Sequence, residues 1–153
     1  MNRKKLSVLI LLIITMIACS SQPNTLEDKN NTEVEMTKIN NPTSFNQDIS
    51  NQAKEYVSKD KNITNVYAVN TEKKLVVAIE IPHMKRFQLQ KIEDKSKKKI
   101  KEEFPEMDIN FSTDKKIIIE LEQLEQKLKT NSLTKKEMDK KIKKIISLMN
   151  EKT

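Results

Sequence analysis

The sequence predicts an α+β domain, a small three-stranded sheet packed against helices, in the order α-β-β-α-β-α-α. Three observations carry that expectation. Residues 63–70 and 75–81 are rich in β-branched and aromatic side chains at period two, with a short polar turn between them. Four other segments repeat apolar residues three and four apart, the spacing of one helix face. Pro82 and Pro105 punctuate the chain where the second strand and the helix after it must stop. Strands and helices segregate rather than alternate strictly, which favours an antiparallel or mixed sheet covered by helices. Residues 45–153 are numerous enough for one core.

Taken in order, Ser44 and Gln47 have the spacing of a capping box, in which hydroxyl and amide each satisfy an orphan backbone donor. A first helix follows to about Asp60, with Ile49, Ala53, Tyr56 and Val57 as its stripe. Ile63 to Asn70 and Leu75 to Ile81 form a hairpin, whose turn relies on Asn70 because the chain has no Gly. In the second of these strands Leu75, Val77, Ile79 and Ile81 share one face, and Val76, Ala78 and Glu80 the other. A lysine-rich helix is predicted from Lys85 to Phe104, with Leu89, Ile92, Ser96, Ile100 and Phe104 inward. Met107, Ile109 and Phe111 alternate as a third strand, and Thr113 or Asp114 caps the next helix, whose stripe is Ile117, Leu121, Leu124 and Leu128. After a polar break at residues 130–132, Thr134 and Glu137 form a second capping box before Met138, Ile142, Ile145, Ile146 and Met149.

The N-terminus reads as an address. Arg3, Lys4 and Lys5 precede an uncharged run from Leu6 to Ala18, interrupted only by Ser7 and Thr15. A spanning helix needs about 20 apolar residues, and this run is shorter, so residues 1–18 have the layout of a signal peptide. The ending Met16-Ile17-Ala18-Cys19 resembles the lipobox of bacterial lipoproteins, in which the Cys thiol receives diacylglycerol and becomes the new N-terminus. The lipid on Cys19 is then the only covalent group expected, with no other cofactor. Two acyl chains give firm anchoring where one is marginal. Removing residues 1–18 lowers the formal charge from +7 to +4 and leaves no free thiol. A domain held outside the cytoplasm is also separated from DNA, RNA and nucleotides. Residues 19–44 are polar, lack periodicity and are expected to form a flexible tether, leaving 45–153 as the folded domain.

Composition excludes most catalytic equipment. At the usual share of about 7% the chain should carry roughly 11 Gly. It has none, so phosphate-binding loops and nucleophile elbows are excluded. One His and one Cys cannot build a multi-His or Cys-cluster metal site. His83 falls at a strand-to-helix corner, where a surface or capping role is expected. Glu120, Glu122 and Glu125 lie among lysines on a predicted helix, which suits a solvated face. No catalytic residue, metal site or small-molecule substrate is therefore predicted. The aromatic residues Phe45, Tyr56, Tyr67, Phe87, Phe104 and Phe111 are few, and the core needs several of them.

Lysines remain the candidate binding groups. Lys95, Lys98 and Lys99 on the second helix and Lys136, Lys140 and Lys143 on the last are candidates for an anionic lipid or wall polymer, against the alternative of solvated faces. Near an anionic leaflet each lysine adds about 1 kcal/mol of attraction.

The run ITNVYAVNTEKKLVVAIEI, then a basic helix, then MDINFSTDKKIIIELEQLEQKL and a final amphipathic helix, all behind a lipobox, resembles the YhcN/YlaJ family of sporulation lipoproteins. The resemblance covers residues 48–150 and transfers no catalytic motif. It implies an endospore-forming bacterium, the spore or forespore membrane, and a non-enzymatic contribution to germination or outgrowth. The partners it implies are membrane lipid and other spore-envelope proteins or a second copy. The competing expectation is a general envelope domain that binds anionic phospholipid or polymer, or self-assembles through Tyr67 to Val69 and the Val76 and Ala78 face. A wall-polymer hydrolase and a solute-binding lipoprotein are disfavoured, since no catalytic pairing and no two-lobe cleft can be placed.

Overall fold

Leu75 to Ile79 is apolar at five consecutive positions, and such a run needs cover on both sides of a strand. In the computed structural model, which describes residues 34–39 and 45–151, all five are buried and their strand lies inside the sheet. The elements are β1 (Glu35–Met36), α1 (Asp48–Ser58), β2 (Asn65–Asn70), β3 (Lys74–Glu80), a 3-10 helix (His83–Gln88), α2 (Leu89–Glu103), β4 (Asp108–Ser112), α3 (Lys115–Lys129) and α4 (Lys135–Asn150). The predicted α+β class and the order α-β-β-α-β-α-α are observed from α1 onward, and β1 adds a short fourth strand ahead of them. The sheet is mixed, in the order β1-β2-β3-β4, with β2 and β3 antiparallel and the two outer pairings parallel.

Alternation along β3 divides the interior into two halves. Leu75, Val77 and Ile79 meet Ala53 and Val57 of α1, Ile92 and Ile100 of α2, and Ile109 and Phe111 of β4. Val76 and Ala78 face the other way, against Ile117, Leu121 and Leu124 of α3 and Ile142 and Ile145 of α4. Helices thus cover both faces of the sheet. The Val76 and Ala78 face, considered above as a self-pairing surface, is closed by α3 and α4: both residues are fully buried, and Tyr67 and Val69 pack into the same half.

The sequence-based boundaries shift in three places. Residues 34–39 fall within the tether expected from sequence, yet β1 pairs with Asn65 and Val66, and Ile39 is buried in the core. Val34 and Met36 alternate with acidic residues, a short strand pattern inside polar sequence. The remainder of the predicted tether, the signal segment and Cys19 lie outside the described residues. The helix predicted from Lys85 begins as a 3-10 helix at His83, and regular α-helix starts only at Leu89. No residue of that 3-10 helix is buried, so no core side chain holds it to α geometry. Lastly, Gln47 does not complete a capping box from its side chain, and Ser44 lies outside the described residues.

Asparagine takes over the conformations that glycine usually supplies. Asn131 has φ 52°, the only positive φ among the described residues. It ends α3, with Asn131 N–H donating to Leu128 O and Ser132 N–H to Lys127 O, the paired bonds of a Schellman motif. The hairpin turn instead avoids left-handed backbone. Asn70 stays extended in β2, and the Thr71 hydroxyl accepts from Lys74 N at 3.0 Å to close the loop. Asp114 caps α3 by accepting from Lys116 N, and the Thr134 and Glu137 capping box forms at the start of α4.

Candidate functional site

β1 covers only the first two residues of β2, so the rest of that strand would present an open edge, a liability for uncontrolled pairing. Side chains close it. Ala68 N–H donates to Glu125 Oε1 at 2.8 Å, and Asn70 N–H donates to Gln47 Oε1 at 3.1 Å. Gln47 Nε2 returns a bond to Asn70 O at 2.8 Å. The Asn70 side chain in turn caps α1, its Oδ1 accepting from Ser50 N at 3.0 Å and its Nδ2 donating to Asn46 O.

Glu125 is also half of a buried ion pair. Lys54 of α1 reaches around the β2 edge, and its Nζ lies 3.0 Å from Glu125 Oε1 of α3, with both side chains almost fully buried. Lys54 Nζ also donates to Thr37 O, which ties the segment after β1 to both helices. Burial raises the Glu125 carboxyl above its ordinary value and lowers the Lys54 ammonium below its own, despite their mutual attraction. Lys54 Nζ and Glu125 Oε1 are each engaged by two partners, and these bonds hold α1, α3, β2 and the segment after β1 together. Glu125 does not lie on the solvated helix face expected from sequence: it falls one turn after Leu121 and one turn before Leu128, on the apolar side of α3.

At the hairpin end of the sheet lies an open groove of about 660 Å³ between the start of α1, the turn at Asn70–Lys74 and α4. Phe45, Ile49, Met138 and Ile142 line it, and Glu72 and Lys135 pair across its rim at 2.8 Å. That pairing lowers the Glu72 carboxyl and raises the Lys135 ammonium relative to their ordinary values. The groove has the chemistry of an apolar contact with a charged border. Among the described residues no group of three or more His, Cys, Asp or Glu is placed to hold a metal ion.

The predicted lysines do not form one surface. Lys95, Lys98 and Lys99 belong to α2, which packs on one face of the sheet, whereas Lys136, Lys140 and Lys143 belong to α4 on the opposite face. Lys95 is paired with Asp60 at 2.9 Å and Lys98 with Glu102 at 3.9 Å. Lys143 borders the groove, and Lys136 and Lys140 are exposed. His83 is exposed at the start of the 3-10 helix. Four residues from it, Phe87, counted among the aromatics available to a core, stands in solvent.

Compared with known families, the chain is matched over residues 19–150 by the model of the family described as Sporulation lipoprotein YhcN/YlaJ. The match begins at Cys19 and runs to the end of α4. No curated protein and no solved structure matches it.

Proposed function

The chain belongs to the YhcN/YlaJ family of sporulation lipoproteins, and from that membership we propose a membrane-anchored, non-enzymatic protein of the spore or forespore membrane that contributes to germination or outgrowth. Diacylglycerol on Cys19 holds it on the extracytoplasmic face, and the folded unit serves as an interaction surface. The carrying observation is the extent of the family match, which starts at Cys19 itself and takes in the complete α+β unit. Two features of the structure support the non-enzymatic part. The buried ion pair of Lys54 and Glu125 is used in sealing the β2 edge, and Glu72 and Lys135 on the rim of the groove at the hairpin end are paired with each other. The partners in this account are membrane lipid and other spore-envelope proteins, with neither nucleic acid nor a small-molecule substrate.

An immunoblot of membrane fractions from vegetative cells, sporulating cells and purified spores, comparing wild type with Cys19→Ala, tests the proposal. Signal in spore membranes that is lost in Cys19→Ala is expected, together with delayed germination in both the variant and a deletion strain. Signal confined to vegetative membranes would contradict the spore assignment, and a change of one exposed carboxylate that reproduced the deletion phenotype without altering abundance would contradict the non-enzymatic role.

A further inference from the structure

Apolar side chains of this size normally find cover, yet Met84 and Phe87 are 82% and 81% exposed. They sit three residues apart in the 3-10 helix, and three residues per turn places them on one side of it. Their neighbours Lys85 and Arg86 are basic, and Lys91 on the first turn of α2 is exposed. An apolar pair ringed by cations is suited to a surface that offers anionic headgroups over hydrocarbon.

Strand register shows where this corner lies. β1 begins with Glu35 beside Asn65, and Asn65 pairs with Glu80, so the start of β1 and the end of β3 share one end of the sheet. The chain from Cys19 joins the domain at that end, through Val34, and the 3-10 helix leaves β3 there, through Ile81. Val34 and Ile81 pack against the same half of the core. β4 also finishes at this end, with Ser112 opposite Ala78, so that α3 starts there with exposed Lys115 and Lys116. Three acids nearby are engaged, Glu80 with the Asn65 amide, Glu93 with the Thr113 hydroxyl and Asp114 with Lys116 N–H, and Asp94 is exposed on the next turn of α2. Residues 20–33 connect the predicted lipid site to the domain and span at most about 50 Å when fully extended, so the anchor joins the domain at this end and leaves it within reach of the bilayer.

We propose that the domain docks on an anionic phospholipid surface through Met84 and Phe87, with Lys85, Arg86 and Lys91 on headgroup phosphates. The proposal rests on the lipid-anchored assignment above and adds an orientation to it. The groove beside the hairpin turn, at the opposite end of the sheet, then faces away from the membrane. The same cations disfavour a second copy on this corner, because two such surfaces repel.

The test uses the mature chain from residue 19 with Cys19→Ala, so that only the protein surface can bind. Co-sedimentation with vesicles of equal parts phosphatidylglycerol and phosphatidylcholine is compared with phosphatidylcholine alone. Binding to the anionic vesicles is expected, falling on the order of tenfold in Met84→Ser/Phe87→Ser, the loss of two buried apolar side chains. Lys85→Gln/Arg86→Gln should lose a similar factor on anionic vesicles, and Lys101→Gln/Lys127→Gln, at exposed lysines toward the far ends of α2 and α3, should bind as the parent does. Because the chain has no Trp, Phe87→Trp adds a reporter whose emission should shift to the blue on anionic vesicles only. Absent binding by the parent, unchanged binding by the Met84 and Phe87 variant, or an effect of that variant on self-association alone would each overturn the proposal. The Cys19 fractionation is scored separately, so failure of the anchor and failure of the docking surface are distinguishable.

Discussion

Replacing Lys54 by Met keeps most of the side-chain volume and removes the ammonium from the buried pair. In the native protein Glu125 Oε1 accepts from Lys54 Nζ at 3.0 Å and from Ala68 N–H at 2.8 Å, with both side chains almost fully out of solvent. Without Lys54 the carboxylate keeps a single backbone donor. Breaking a buried pair on one side costs about 3–5 kcal/mol, because an uncompensated charge remains. The cost depends on pH in a fixed direction. The Glu125 carboxyl is already raised by burial, and loss of the cation raises it further. A raised folded-state value contributes stability that is present below the unfolded value and is lost as pH rises through the folded one. Lys54→Met is therefore least destabilised in acid and most destabilised above neutrality, with a slope of at most about 1.4 kcal/mol per pH unit for one proton. Urea unfolding followed by circular dichroism at pH 5 and pH 8 measures this, and we expect the loss at pH 5 to be under half that at pH 8. Glu125→Gln has the opposite dependence. It preserves an acceptor for Ala68 N–H but strands the Lys54 ammonium, whose lowered value means that its penalty is relieved as pH rises. The double variant Lys54→Met/Glu125→Gln should recover most of either loss, leaving the Thr37 carbonyl as the orphan at about 1–3 kcal/mol. A loss below about 1 kcal/mol for Lys54→Met at pH 8, or one that does not change with pH, would refute the reasoning.

Other substitutions follow from the same geometry. Asn70→Ala removes the cap on Ser50 N–H and leaves the start of α1 unsupported, and should cost about 2 kcal/mol in urea unfolding. Asn131→Gly relieves a left-handed backbone and should raise stability by about 0.5–1 kcal/mol, whereas Asn131→Ala should lower it by a similar amount. Thr134→Ala breaks the capping box of α4 and should cost about 1 kcal/mol, read by the same unfolding experiment or by faster amide exchange in the first turn of α4.

The strands and helix stripes were legible because burial and periodicity coincide in them. Leu75 to Ile79 fill both halves of the core, and Ile117, Leu121, Leu124 and Leu128 line one face of α3. Caps written in local spacing, at Asp114 and at Thr134 with Glu137, were legible for the same reason. What was not legible depends on contacts between distant parts of the chain. Glu125 and Lys54 are charged residues at positions where the stripe continues, and only the approach of α1 and α3 around β2 shows that each has the other as its partner. Asn70, expected to turn the hairpin, instead caps a helix some twenty residues earlier. β1 is two residues long, so the alternation of Val34 and Met36 with acidic residues is too brief to mark a strand, and the strand is defined by its pairing with β2. The apolar corner at Met84 and Phe87 was hidden by the opposite effect. Its spacing suits the helix that follows, but the backbone tightens to a 3-10 helix and turns both side chains to solvent.

The claim on which the functional account depends is that the protein is lipid-anchored at Cys19 in spores. Mass spectrometry of the protein isolated from purified spore membranes addresses it directly. The expected result is an N-terminal peptide that begins at Cys19 and carries the mass of a diacylglycerol thioether. A chain recovered from spores with an unmodified Cys19, or with residues 1–18 still attached, would contradict it.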